Sequence, residues 1–239
     1  MSLGVPERTQ VRLVFLGAAG VGKTSIIKRF LQGAFETRYR PTVEELYALE
    51  YEAGGSKIKL EVMDTSGSYR FPAMRKLYIR DGDAFALVFS LEEPQSFEEV
   101  RRLREEVLEI KEDKRPPIVV IANKADTQPP QPQQPQQPQQ PEQQEQQEQQ
   151  QQQQQDLHQQ QIQVARATVE LQWNHCLVET SAKEDGGVTR VFAQLLREVN
   201  LPSRLSPALQ RRRETLPVRP LPLQVARPPI KKANSCVVA

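Results

Sequence analysis

Cysteine and long hydrophobic runs are both scarce in this chain of 239 residues. Its two cysteines, Cys176 and Cys236, are too few for a disulfide framework, which favours a reducing compartment such as the cytoplasm. No apolar run approaches the roughly 20 residues of a membrane-spanning helix. The first ten residues have neither the apolar core of a secretory signal nor a Gly at position 2 for myristoylation. We therefore expect any membrane attachment to come from the other end of the chain.

Histidine is equally scarce, and the formal net charge is only +2. His158 and His175 have no partners at metal-ligand spacing, so neither is expected to bind a metal or to act in catalysis. The small net charge hides an asymmetry, because residues 201–239 hold eight basic residues and one acidic residue. The chain is thus a cationic tail of formal charge +7 on a body of about −5.

Proline and glutamine divide the chain into segments. Residues 128–161 form a Pro/Gln-rich insertion that we predict to be disordered, in a domain that spans 10–200. A tolerated surface loop is the favoured interpretation of this insertion, ahead of a PxxP ligand or a self-associating glutamine tract. Residues 1–9 are a short extension, and 201–239 are a flexible, basic, Pro-rich tail.

Short apolar runs rich in β-branched and aromatic residues predict the strands of a buried sheet. They are VRLVFLG from 11, KIKLEVMD from 57, DAFALVFSL from 83, PIVVIANK from 117 and HCLVET from 175. Two runs around Gly54-Gly55 predict a β-hairpin. Helical patterns lie between several strands, one ending near Glu170 and one over Val188 to Val199. This alternation predicts an α/β fold with a mostly parallel sheet and one antiparallel edge strand.

The clearest helix is predicted to begin at Ser96. Ser96 and Glu99 have the spacing of a capping box at its start. One apolar stripe on this helix is interpreted as core packing. It consists of Phe97, Val100, Leu103, Val107 and Ile110.

The motif GAAGVGKT, Gly17 to Thr24, fits G-x-x-x-x-G-K-[ST] between a predicted strand and a predicted helix. Its glycines let backbone N–H groups turn toward a phosphate chain, and the helix start adds a positive dipole end. Lys23 is expected to contact the β- and γ-phosphates, and the Thr24 hydroxyl to bind Mg²⁺.

Five motifs in order make the chain resemble the Ras superfamily of small GTPases over about residues 10–200, the insertion aside. They are GAAGVGKT, Thr42 in YRPTVEE, DTSG at 64, NKAD at 123 and ETSAK at 179. DTSGSYRFPAMRKL is most similar to the branch that contains Di-Ras and Rhes. The resemblance implies a P-loop NTPase fold of the small G-protein type, with a six-stranded sheet and helices on both faces, and the chain is expected to be monomeric.

The resemblance also implies a set of GTP-binding residues. It comprises Gly17, Ala18, Ala19, Gly20, Val21, Gly22, Lys23, Thr24, Ser25, Phe35, Thr42, Asp64, Gly67, Asn123, Lys124, Asp126, Ser181, Ala182 and Lys183. Asp126 would accept from the ring N–H and 2-amino group of guanine, a pattern that adenine lacks. Asn123 would brace the loop, the Lys124 stem would cover the base, and the Ala182 N–H would serve the guanine oxygen. Thr24, Thr42 and Asp64 would hold Mg²⁺, Asp64 through a water.

Thr42 and Gly67 would be the switch contacts, in two loops that hold one arrangement with GTP and relax after hydrolysis. The catalytic set implied is Lys23, Thr42, Gly67 and Ser68. An effector-binding region is implied at Tyr39, Arg40, Pro41, Thr42, Val43, Glu44, Glu45, Leu46 and Tyr47. Arg40 replaces the acidic residue common in Ras itself, so different effectors are expected.

Two departures from the family pattern concern hydrolysis. Ser68 stands where the family has the glutamine that orients the attacking water, and its side chain is too short to span the same distance. Ala19 replaces a P-loop glycine, and its methyl group would crowd an incoming arginine finger. Slow GTP hydrolysis is therefore expected; the alternative is that another residue takes over from Ser68.

The last four residues, CVVA, match the C-a-a-X pattern and predict prenylation of Cys236. One lipid anchors marginally, so basic tail residues such as Lys231 and Lys232 would add attraction to an anionic membrane. The cytoplasmic face of the plasma membrane is the expected location. A solvated tail or a nuclear-import signal are the other readings, and no nucleic-acid partner is expected without interleaved aromatics.

Three functions compete. The leading one is a membrane-attached GTPase switch that works with effectors, an exchange factor and an activating protein. The second is a nearly non-hydrolysing GTP-bound scaffold that acts through its insertion and tail. The third, a P-loop kinase of a small substrate, is opposed by NKAD and ETSAK, which adenine-using kinases lack.

Overall fold

The computed structural model describes residues 10–53, 56–67, 72–112, 115–126, 153, 156–157 and 159–201. Ser68, Cys236, most of the insertion and the tail beyond residue 201 lie outside these ranges. Predictions that fall on them stay predictions.

Six strands form one sheet. They are β1 (Gln10–Leu16), β2 (Glu45–Ala53), β3 (Ser56–Asp64), β4 (Ala84–Ser90), β5 (Ile118–Asn123) and β6 (Cys176–Glu179). Their order is β2-β3-β1-β4-β5-β6, and only the pair β2 and β3 is antiparallel. Ala53 pairs with Ser56, which confirms the hairpin predicted around Gly54-Gly55. The predicted α/β fold with one antiparallel edge strand is thus confirmed.

The described helices lie between the strands. They are α1 (Lys23–Gln32), α2 (Pro72–Asp81), α3 (Phe97–Lys111), α4 (159–167) and α5 (Val188–Glu198). The helical path of α4 continues into a π turn over Thr168–Gln172, because the Trp173 N–H donates to the Thr168 carbonyl at 3.0 Å. None of the helices in the described ranges is both long and apolar enough to cross a bilayer.

Two apolar cores lie on opposite faces of the sheet. Side chains alternate along β1, so that Leu13 belongs to one core and Val14 to the other. In the first core Phe30 of α1 stacks on Phe192 of α5, with ring centroids 3.6 Å apart. In the second core Leu103 of α3 is fully buried, as the predicted stripe required. Because both faces are covered, the carboxyl ends of the parallel strands are left as the place for a ligand.

The predicted capping box at the start of α3 is wrong. Ser96 itself has helical dihedral angles, φ −60° and ψ −14°, because a short 3₁₀ turn, Pro94–Ser96, precedes the helix. An N-cap side chain needs an extended backbone to reach the helix amides. The Ser96 hydroxyl instead donates to the Glu93 carbonyl at 2.6 Å and accepts the Ser90 N–H at 2.9 Å. Glu99 forms an ion pair with Arg102.

His175 makes stability sensitive to acid. Burial, reinforced by the nearby Arg104, lowers the pKa of His175 to about 4. In the unfolded chain His175 takes up a proton below about pH 6.5, whereas in the folded protein it does so only near pH 4. We therefore expect the free energy of unfolding to fall between about pH 6.5 and pH 4. From pH 7.5 to 5.5 the wild-type Tm should fall about 2–4 °C more than that of His175→Gln. Parallel decreases in the two proteins would contradict this assignment.

Candidate functional site

The loop from Gly17 to Thr24 joins β1 to α1 and wraps around the Lys23 side chain. The Lys23 ammonium donates to the carbonyls of Gly17 at 2.8 Å and Ala18 at 2.9 Å. Gly22 is the N-cap of α1, in the left-handed region with φ +96°, and has no side chain to cap the helix amides. The first N–H groups of α1 are therefore well suited to bind an anion.

Burial disfavours the charged form of Lys23. The residue is 6% exposed, and burial lowers the pKa of Lys23 to about 8 against the opposing attraction of Asp64. A phosphate group beside the ammonium would compensate its charge and raise that pKa. A polyphosphate ligand would therefore stabilise the charged form of Lys23 in this loop.

Asp64, Thr24 and Thr42 fit the predicted Mg²⁺ site. The hydroxyls of Thr24 and Thr42 are 2.7 Å apart, although the residues are on α1 and on the loop before β2. The Asp64 side chain is fully buried, and neither carboxylate oxygen accepts a hydrogen bond of normal geometry from the residues that the structure describes. Burial raises the pKa of Asp64 to about 6, with Thr24 and Lys23 opposing the shift. An unpartnered carboxylate near two hydroxyls suits a hard cation with oxygen ligands.

A bound metal ion would have the hydroxyls of Thr24 and Thr42 and the Asp64 carboxylate as candidate side-chain ligands. Within the described ranges, no three His, Cys, Asp or Glu side chains form a group able to hold a metal ion. Mg²⁺ commonly keeps several waters and uses one or two carboxylates together with substrate phosphates. A Mg²⁺ ion held by this set would take its remaining ligands from water and from the phosphates of a bound nucleotide.

Gly67 lies against the phosphate loop. A Cβ atom at this position would be 2.3 Å from the Ala19 nitrogen and 2.5 Å from the Ala18 carbonyl carbon. The DTSG segment that follows β3 is thus in close contact with the loop that follows β1. Any side chain at position 67 would push the two loops apart.

Asn123 joins three segments at the other end of the site. Its side-chain N–H donates to the Val21 carbonyl at 2.8 Å, and its oxygen accepts the Ala182 N–H at 3.2 Å. This brace connects the loop from Gly17 to Thr24 (the phosphate loop), the NKAD segment (123–126) and the SAK segment (181–183). The Asn123 role predicted from the sequence now has named partners.

Asp126 is prepared as an ionised acceptor. Its side chain is 8% exposed, with the Ser181 hydroxyl at 2.6 Å and the Lys183 ammonium at 3.5 Å. Although burial acts to raise it, these neighbours hold the pKa of Asp126 below its ordinary value. An ionised carboxylate without donors of its own selects a ligand edge that presents N–H groups.

A single cleft of about 1470 Å³ brings most of the predicted nucleotide contacts together. Its wall includes Ala19, Gly20, Gly22, Lys23, Thr24, Ser25, Phe35, Thr42, Gly67, Asn123, Lys124, Asp126, Ala182 and Lys183. Five other predicted residues are not on that wall, namely Gly17, Ala18, Val21, Asp64 and Ser181. Four of these hold lining side chains in place, since Gly17 and Ala18 bind Lys23, Val21 binds Asn123 and Ser181 binds Asp126.

The predicted effector region is exposed at Tyr39, Arg40, Pro41 and Val43, and its second half is partly or fully buried. Tyr39 is 63% exposed and Val43 is 83% exposed. Tyr47, by contrast, is buried in the core and donates its hydroxyl to Glu45, so it does not contribute to that surface. The Glu44 carboxylate is also engaged, because it accepts the Tyr78 hydroxyl of α2 at 2.5 Å.

Sequence reasoning missed several residues around the cleft. Glu92 pairs with Lys124 at 2.6 Å, and Glu36 pairs with Lys28 at 2.8 Å across the cleft mouth. Arg29 of α1 contacts the SAK segment 153 residues away. No local spacing in the sequence indicates such distant pairs, because each depends on how the loops meet.

Comparison with known proteins identifies this arrangement. The family model described as "Ras family" matches residues 12–201. The chain belongs to the Ras family. It is 36% identical over 219 residues to the GTP-binding protein Rhes of Homo sapiens, covering 88% of this chain and 73% of that protein. The Rhes proteins of Mus musculus and Rattus norvegicus are each 36% identical over 216 residues, covering 87% of this chain and 71% of theirs.

Family membership explains the cleft. A Ras-family protein is a GTP-binding switch with GTPase activity, and it uses GTP or GDP together with Mg²⁺. The two ends of the cleft match that ligand, with Lys23 and the α1 amides for phosphates and Asp126 for the base. The resemblance to the branch that contains Rhes, predicted from DTSGSYRFPAMRKL, is confirmed.

Proposed function

We propose that this Ras-family protein hydrolyses GTP slowly and therefore remains mainly in its GTP-bound form. The observation that favours this is that Gly67, which precedes Ser68, lies against Ala19. A Cβ atom on Gly67 would be 2.3 Å from the Ala19 nitrogen, so the two departures from the family pattern lie close together. Ala19 is exposed on the cleft wall, so its methyl group occupies space beside the expected γ-phosphate position. Ser68 follows directly in the sequence and lacks the reach of a glutamine. Slow turnover follows for two reasons. Ser68 cannot position the attacking water, and the Ala19 methyl group would obstruct an arginine that a partner protein could supply to stabilise the transition state.

Placing the family residues at positions 68 and 19 should accelerate the chemical step. We expect Ser68→Gln combined with Ala19→Gly to raise the single-turnover hydrolysis rate by at least about tenfold, since positioning of a reacting group contributes more than that. Each single variant separates the two causes. GDP affinity serves as the control for an intact site. Equal rates in the wild type and the double variant would defeat the proposal, whereas GTP retained through purification with no measurable turnover would favour the scaffold alternative.

Membrane attachment through Cys236 is the second part of the proposal. It is supported by the terminal CVVA and by the basic residues before it, because one prenyl chain plus a polybasic segment gives a stable anchor. The protein would then act at the cytoplasmic face of the plasma membrane. Its effectors would contact the exposed stretch around Tyr39 and Val43, and an exchange factor would open the cleft.

Fractionation of cells tests the anchor. We expect Cys236→Ser to move most of the protein from the membrane fraction to the soluble fraction, because the prenyl group is lost. Cys176→Ser is the matched control, since Cys176 lies in β6 and is far from the tail in sequence. A membrane-bound share that is unchanged by Cys236→Ser would eliminate the anchor.

A further inference from the structure

Arg29 links helix α1 to the segment that closes the base end of the cleft. Its Nε donates to the Ala182 carbonyl at 2.8 Å, and one terminal nitrogen donates to the Lys183 carbonyl at 2.6 Å. The other terminal nitrogen donates to the Gly33 carbonyl at 2.9 Å, just beyond the end of α1. The guanidinium also lies 5.7 Å from the ring centroid of Phe35, on the cleft wall. One side chain thus lies beside two of the predicted base contacts, Phe35 and Ala182.

The donors of Arg29 suit this task. A guanidinium presents several N–H groups in a rigid, planar fork, so it can hold three carbonyls at once. A lysine at position 29 would keep the charge but offers one compact group on a flexible stem. It could not bind the three carbonyls in the same geometry.

Ala182 is the residue that this fork fixes most directly. Its carbonyl is held by Arg29 and its N–H by Asn123, so the residue is held at both ends. It is 3% exposed and follows Ser181, which binds the Asp126 carboxylate. Along the edge of guanine the 2-amino group, the ring N–H and the 6-oxo group follow one another. If Asp126 accepts from the first two, the third would have to share the Ala182 N–H, which donates to Asn123 at 3.2 Å in the structure.

We propose that Arg29 is a positioning residue that sets recognition of the purine 6-oxo group and slows nucleotide release, acting through the Ala182 and Lys183 carbonyls. This inference rests on guanine-nucleotide binding in the cleft. Loss of the fork frees the SAK segment to move away from the base. The penalty against a 6-amino group then falls, because a donor facing a donor is unfavourable only while both are held in place. Reading of the 2-amino group depends on Asp126 in the NKAD segment, so it should change less than reading of the 6-oxo group, even though Ser181 and Lys183 also contact that carboxylate.

Three diphosphates separate these contacts. GDP carries both groups, and IDP lacks the 2-amino group. The diphosphate of 2,6-diaminopurine riboside has an amino group in place of the 6-oxo group and also lacks the ring N–H. The lost ring N–H faces Asp126 in both proteins, so its contribution cancels when Arg29→Lys is compared with the wild type. In Arg29→Lys we expect the GDP dissociation rate to rise about tenfold, in line with the loss of one or two charge-assisted hydrogen bonds. The preference for GDP over the diaminopurine compound should fall by about the same factor. The preference for GDP over IDP should stay within about twofold of the wild type.

Arg102→Lys is the matched control, because Arg102 is an arginine on the exposed face of α3, where its side chain is 80% exposed and pairs with Glu99. It should leave all three values unchanged. Thermal melting of each GDP-bound variant checks that the fold is retained. Equal dissociation rates in Arg29→Lys and the wild type would overturn the inference, as would a parallel fall of both preferences. A wild-type protein that does not prefer GDP to ADP would instead contradict guanine binding itself.

Discussion

Replacing Asp126 with asparagine is expected to lower the affinity for GDP by about 10²–10³-fold and to make xanthosine diphosphate the better ligand. The Asp126 carboxylate is buried, ionised and bound by Ser181 at 2.6 Å, so it is a fixed acceptor. An asparagine of the same shape presents an N–H₂ group that faces the N–H groups of guanine. Buried polar groups left unpaired in this way account for large losses of affinity. Xanthine has an oxygen at position 2, which the new amide can bind.

Competition between labelled GDP and xanthosine diphosphate measures this exchange of preference. Asp185→Asn provides the control, because it makes the same chemical change at an exposed residue of the loop that follows the SAK segment. We expect the control to bind GDP as the wild type does. An Asp126→Asn protein that still prefers GDP would show that another group reads the base.

Substituting alanine for Gly22 is expected to have the second large effect, a rise of about 10²-fold or more in the GDP dissociation rate. A Cβ at Gly22 would lie 2.2 Å from the side-chain nitrogen of Asn123. The clash falls on the Asn123 side-chain nitrogen that donates to the Val21 carbonyl at 2.8 Å, so it would separate the phosphate loop from the NKAD segment. The left-handed conformation at φ +96° adds about 1–2 kcal/mol of backbone strain for a residue with a side chain.

Gly20→Ala separates the clash from the strain. Gly20 also has a left-handed conformation, with φ +79°, but a Cβ there would meet nothing within 4 Å. It should therefore show only the strain contribution, about a 30-fold effect at most. Stopped-flow measurement of labelled GDP release compares the two variants. Equal rates for Gly20→Ala and Gly22→Ala would show that the contact with Asn123 has no part in holding the nucleotide.

Much of the fold could be predicted because its signals are local. The central strands β4 and β5 are apolar runs that are buried on both faces. The hairpin is indicated by Gly54-Gly55 in the sequence. The α3 stripe was correct for the same reason. The capping box at Ser96 failed because a 3₁₀ turn places Ser96 inside the helical conformation, which sequence spacing does not reveal.

Site residues that belong to a sequence motif could be predicted. Residues that act through contacts with distant parts of the sequence could not. Lys23, Thr24 and Asp126 followed from their motifs, and the structure places each of them on the cleft wall. Tyr47 sits in the effector stretch of the sequence, yet the pleat of β2 turns its ring into the core. Arg29 had no local signal, because its partners at Ala182 and Lys183 are brought to it only by the packing of α1 beside α5.

Calorimetric titration of the nucleotide-free protein with GDP and with ADP, each with and without Mg²⁺, tests the central claim most directly. That claim is that one guanine nucleotide lies between Lys23 and Asp126, with Mg²⁺ bound at Thr24, Thr42 and Asp64. We expect one tight GDP site that weakens when Mg²⁺ is removed, and ADP binding weaker by at least about a thousandfold. Equal affinity for the two nucleotides, or no tight binding of GDP in the presence of Mg²⁺, would contradict it.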